Sequence, residues 1–64
     1  MIHLFVQLEC VRREVAWRKH QYPRLVAEHR MTIKKAAHEI EAMEAVRATL
    51  EALVGQLEGR KAAE

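Results

Sequence analysis

The side chains in this chain able to hold a metal or move a proton near neutral pH are His3, His20, His29, His38 and the single cysteine, Cys10. A metal site on helices needs ligands four apart on one face, or Glu-x-x-His pairs facing one another. Neither pattern occurs. His38 and Glu41 share a helix face, as do Glu41 and Glu44, but acidic residues at that spacing ordinarily solvate a helix surface. There is no Ser-His-Asp set and no glycine-rich phosphate loop, and two helices offer no water-excluding pocket. The sequence reads as a non-enzyme without metal or cofactor.

Charge is the more informative pattern. From Arg12 to His38 there are eight Lys or Arg against Glu14 and Glu28, whereas the rest of the chain has three against seven, a polarity hidden by the net charge of +2. Arg18, Lys19, Arg24, Arg30, Lys34 and Lys35, with Trp17 close by, are the candidate binding residues. They suit either nucleic-acid phosphates or an acidic protein. A solvated face explains part of the set, because Arg18 and Lys19 fall in the last turns of the first predicted helix, where its dipole favours cations. Lys34 and Lys35 open the second helix, where cations are mildly disfavoured. A Lys35–Glu39 pair one turn on offsets that by only a few tenths of a kcal/mol. Trp17 is expected to pack on the connector near Leu25, with a surface anchor for a partner as the other reading.

The elements that position these residues follow from spacing. From Ile2 to Gln21 there is no glycine or proline, and Leu4, Leu8, Val11, Val15 and Tyr22 recur three, four or seven apart, which predicts an amphipathic helix over 2–21. Pro23 lacks an amide proton and disfavours helical angles at Tyr22, so it is expected to end that helix and open a short connector helix over 23–29. Thr32 caps a longer helix over 33–57, carried by Ile33, Ala36, Ile40, Met43, Val46, Leu50, Leu53 and Leu57. Gly55 and Gly59 weaken its last turns, and 60–64 is expected to fray.

The predicted fold is all-α and a single domain over 1–64, an antiparallel helical hairpin. Folded about the connector, it places Val15 near Ile40, Val11 near Met43, Leu4 near Leu50 and Arg47 beside Glu9. In that register Leu53, Val54 and Leu57 run past the first helix, while Ile2, Leu4, Phe5, Val6 and Leu8 are apolar over a wider arc than one neighbour buries. A chain this short has little core to spare, so the hairpin is expected to assemble into a dimeric four-helix bundle or a higher oligomer. The expected interface is Ile2, Leu4, Phe5, Leu8, Leu50, Leu53, Val54 and Leu57. The apolar start is too short for a membrane span and lacks the basic flank of a signal peptide, and one cysteine suits a reducing compartment.

The run Tyr22-Pro23-Arg24-Leu25-Val26, then Met31-Thr32, then Ala37-His38-Glu39-Ile40 with Met43-Glu44-Ala45-Val46, resembles a group of small uncharacterised helical proteins encoded in bacterial phages and prophages. The similarity covers roughly Arg12 to Leu50. Leu25 stands where that group tends to carry tryptophan, and His29 where it tends to carry glycine. Glycine there would suit a left-handed residue closing a helix, so His29 is expected to be mildly strained. The resemblance implies a phage or prophage protein in a bacterial cytoplasm and transfers no site residues. The functional expectation is a self-associating helical protein-interaction module. Direct nucleic-acid binding and inhibition of a host enzyme are the alternatives.

Overall fold

A computed structural model describes residues 1–63, with side chains through Gly59. It is all-helical: α1 (Leu4–Ala27) and α2 (Ile33–Ala63) pack antiparallel in a rod of 53 × 19 × 17 Å. His3 starts α1 with an extended backbone, and its Nδ1 accepts from the Phe5 amide at 3.1 Å. Its carbonyl accepts the first regular helical bond from the Gln7 amide and a second bond from the Val6 amide, so Phe5 and Val6, two of the amides that a helix start leaves free, are satisfied. The ring stacks on Phe5 with centroids 5.0 Å apart.

The main departure from expectation is at Pro23. No separate connector helix forms, and α1 runs unbroken through Pro23 to Ala27. The missing amide leaves the Lys19 carbonyl without its usual donor, at a cost of about 3 kcal/mol. Stopping at Gln21 would cost more, because Tyr22, Leu25 and Val26 are half-buried against the start of α2 and would lose that cover. Continuing also allows a complete closure of the helix. The His29 amide donates to the Val26 carbonyl at 3.0 Å and the Arg30 amide to the Leu25 carbonyl at 2.8 Å, the paired bonds of a Schellman motif. That motif requires a left-handed residue, and His29 supplies it with φ 60°. The strain expected at this residue is present.

Thr32 caps α2 as expected: its Oγ1 accepts from the Lys35 amide at 3.1 Å and its carbonyl from the Ala36 amide at 3.0 Å. The helix passes Gly55 and Gly59 without a break and continues beyond the expected end at 57. Of the tail over 60–64 expected to fray, α2 includes the backbone through Ala63, and Glu64 lies outside the described residues.

Because the turn spans Glu28 to Thr32, its midpoint lies at Arg30 rather than near Ala27, and the register slides with it. Arg12 meets Glu51 at 3.6 Å, Lys19 meets Glu44, and Arg18 reaches the Glu39 carboxylate at 3.7 Å. Arg12 and Lys19 are seven apart, as are Glu44 and Glu51, the repeat of a coiled-coil flank. Stepping by seven along that flank brings Phe5 opposite Glu58 at the open end and Val26 opposite Ala37 at the turn. Stepping from Arg18–Glu39 along the other flank brings Val11 opposite Val46 and Leu4 opposite Leu53. The expected pairings of Val11 with Met43 and Leu4 with Leu50 are each displaced by about one turn.

Two expectations fall with the old register. Val54 does not overhang α1; it is buried within the hairpin. Arg47 does not meet Glu9 but stays on its own helix, donating to Glu44 at 3.1 Å and lying 3.7 Å from Glu51. The resulting seam is thin. Only Leu8, Val15, Ala36 and Val54 are buried among the described residues.

Candidate interaction surfaces

The basic residues divide into two groups. Arg18 is only 17% exposed and acts as a clamp between the helices: its Nε donates to Glu14 at 2.9 Å and its Nη1 to the Glu39 backbone carbonyl at 2.8 Å. The guanidinium also lies 5.9 Å from the Tyr22 ring centroid. Its hydrogen bond to Glu14 raises its pKa further, with partial desolvation opposing. Lys19 is committed to Glu44, whose carboxyl is held below the usual range first by the Lys19 hydrogen bond, then by the charges of Lys19 and Arg47. Arg12 engages Glu51. The structure thus gives Arg18 and Lys19, both candidate binding residues, work inside the hairpin.

The second group surrounds the turn. Among the described residues Arg24, Lys34 and Lys35 have no carboxylate at salt-bridge distance, and Arg30 has only Glu28, at 3.9 Å. The expected Lys35–Glu39 pair is absent because Glu39 faces Arg18. From 20 to 38 the chain carries Arg24, Arg30, Lys34 and Lys35 against Glu28 alone. Two hollows open there. One of 350 Å³ is lined by Pro23, Val26, Ile33, Ala36, Ala37 and Ile40, together with Tyr22. The other, of 490 Å³, shares Val26 and Ile33 and reaches Arg30 and Met31. Ile33, expected in the apolar seam, is instead 75% exposed on the rim.

Trp17, expected either to pack on the connector or to stand as a surface anchor, is half-exposed and meets Tyr22 edge-on, with centroids 6.0 Å apart.

The expected oligomer surface also divides. Leu8 and Val54 are buried inside one hairpin, and Leu4 and Leu50 are half-covered. Ile2, Phe5, Leu53 and Leu57 remain exposed, joined by Val6 and Val46. Phe5 belongs to the flank that carries Arg12 and Lys19. Val46 and Leu53 belong to the opposite flank, where Leu4 and Val11 face them and Leu57 adjoins. That second flank is an apolar strip ending at Arg18–Glu39, and the sequence reading missed Val11 and Val46 as part of it. The signal that finds them is the seven-residue spacing of Glu39, Val46 and Leu53 once Arg18 has fixed their partner stripe.

No three His, Cys, Asp or Glu side chains gather as a metal site among the described residues. Cys10 is exposed and accepts from the Arg13 guanidinium at 3.3 Å. No described helix is long and apolar enough to cross a membrane. Compared with protein-family models, curated proteins and solved structures, the chain matches none.

Proposed function

We propose that this chain is a self-associating helical interaction module, joined through the apolar strip of Leu4, Val11, Val46, Leu53 and Leu57 and acting by binding rather than by catalysis. The observation that carries the reading is that Val46, Leu53 and Leu57 are 44%, 42% and 40% exposed on one flank, while the opposite flank is laced by Arg12–Glu51 and Lys19–Glu44. Covering a half-exposed Leu or Val contributes roughly 1 kcal/mol. A two-fold axis counts each such residue twice. The smallest assembly that satisfies this is two hairpins packed strip to strip as a four-helix bundle, with Ile2 and Phe5 closing over its open end. The turn ends then project outward, free for a partner protein.

A bacterial cytoplasmic setting and a phage or prophage origin belong to the proposal on the resemblance of the Tyr22–Val26 and Met31–Thr32 runs alone. Light scattering over about 1 to 500 µM tests the association, since a dimer held this way forms with rising concentration. A cooperatively folded monomer across that range contradicts it.

A further inference from the structure

We propose that the groove at the turn end is a docking site for an acidic amphipathic helix of a partner protein, which inserts an apolar side chain between Pro23 and Ile33 and lays carboxylates against Arg30 and Lys34. The proposal deepens the interaction-module reading by giving the partner a chemistry. It concerns the flank opposite the self-association strip, so both surfaces can be filled at once.

The groove is the continuation of a charged stripe after the charges stop. Along this flank Arg12–Glu51 and Lys19–Glu44 bridge the helices, and seven residues further Val26 and Ala37 take their places. The side chains here are too short or too far apart to close the gap. Ala36 and Ala37 leave a floor, while Pro23 and Ile33 stand as exposed walls. Ile33 is a β-branched apolar residue left 75% exposed in the first turn of a helix, which gains the hairpin nothing and suits a pocket wall.

Charge identifies the occupant. Lys34 is roughly 60° around α2 from Ala37, at the groove's outer edge, whereas Arg24 lies about 100° further around α1 from Pro23, away from the groove. Arg30 lines the adjoining hollow that shares Val26 and Ile33 with the groove. Lys34 has no carboxylate partner among the described residues and stands where the helix dipole disfavours it. Glu41, one turn beyond Ala37, is the opposing charge on this rim, so the occupant's carboxylates lie toward the turn and its far end is neutral or basic. A helix with leucines at i, i+4 flanked by glutamates over the half toward the turn meets all of these features. A nucleic acid would meet the cations but has no apolar knob for the groove.

The test uses the full chain and a fluorescein-labelled synthetic helical peptide with leucines on one stripe, glutamates on both sides of it over one half and neutral side chains over the other, measured by anisotropy. A scrambled peptide of the same composition and a labelled DNA duplex are titrated in parallel. The expected result is saturable binding of the striped peptide, at least tenfold weaker for the scrambled one. Binding weakens at least tenfold again with Ile33→Asp or with Arg30→Glu combined with Lys34→Glu. Far-UV circular dichroism shows that these surface variants remain helical. Equal binding of both peptides, tighter binding of the duplex, or no binding of the striped peptide overturns the proposal. Light scattering on the same samples reports the self-association separately: a hairpin that dimerises yet ignores the peptide loses the groove assignment alone, and a peptide-binding monomer loses the strip alone.

Discussion

Replacing Arg18 by methionine removes the one side chain among the described residues that hydrogen-bonds from α1 to the backbone of α2. In the folded hairpin its guanidinium donates to Glu14 at 2.9 Å and to the Glu39 carbonyl at 2.8 Å, with the Glu39 carboxylate at 3.7 Å. A hydrogen bond involving a charged group is worth about 1.5–3 kcal/mol when shielded from water. The donor is 17% exposed but Glu14 and Glu39 are about 40% exposed, so the Glu14 bond lies near the value of a helix-surface pair. The carbonyl bond retains most of its worth, and methionine keeps part of the side chain's packing. The net loss is about 1–2 kcal/mol. For a chain of this size that lowers the melting temperature by roughly 4–16 °C. Thermal circular dichroism at fixed protein concentration reads it. Arg18→Lys, which keeps the charge but not the fork, should lose about half as much. A methionine variant that melts within a degree or two of the parent would show that Arg18 does not bridge the helices, and the register built on it would fall.

Two further outcomes follow from local geometry. His29→Gly removes the cost of a side chain at φ 60° and should stabilise the hairpin by up to about 1 kcal/mol in urea denaturation, part of the gain being offset by glycine's freedom in the unfolded chain; a loss of stability would contradict the left-handed closure. Glu44 has its folded pKa lowered by Lys19, so its contribution is fully present above the ordinary glutamate range near about 4.3 and is lost as pH falls through the folded value. Melting temperature should therefore drop on acidification through and below that range, with a shallower drop in Glu44→Gln; identical pH profiles would remove the Lys19–Glu44 contact from the account.

What could be read from the sequence was the helical character, the hairpin, the Thr32 cap and the strain at His29, because each depends on neighbours in the chain. Proline misled the boundary of α1. Its local penalty is real, but the packing of Tyr22, Leu25 and Val26 and the paired bonds closing at His29 and Arg30 outweigh it, and those depend on α2 being in place. Moving the turn by a few residues then moved every facing pair, so Val54 became core and Arg47 found its partners on its own helix. The same slide decided the basic residues. Arg18 and Lys19 read as free cations in one dimension and prove to be cross-helix partners of Glu39 and Glu44 in three. Lys34 kept its oddity, since the observed register brings it no carboxylate among the described residues.

The central functional claim is that the Leu4, Val11, Val46, Leu53 and Leu57 strip is covered by a second copy. Sedimentation equilibrium of the parent chain beside Leu53→Glu tests it most directly. Residue 53 lies outside the buried core of one hairpin, so the variant can fold, yet a two-fold interface would place two carboxylates against apolar neighbours. The account predicts a parent whose mass rises with concentration toward at least twice the 7.4 kDa chain mass, and a variant that stays at the chain mass, with helical content retained, at concentrations where the parent is assembled. Equal masses for the two proteins, whether both monomeric or both assembled, would contradict it.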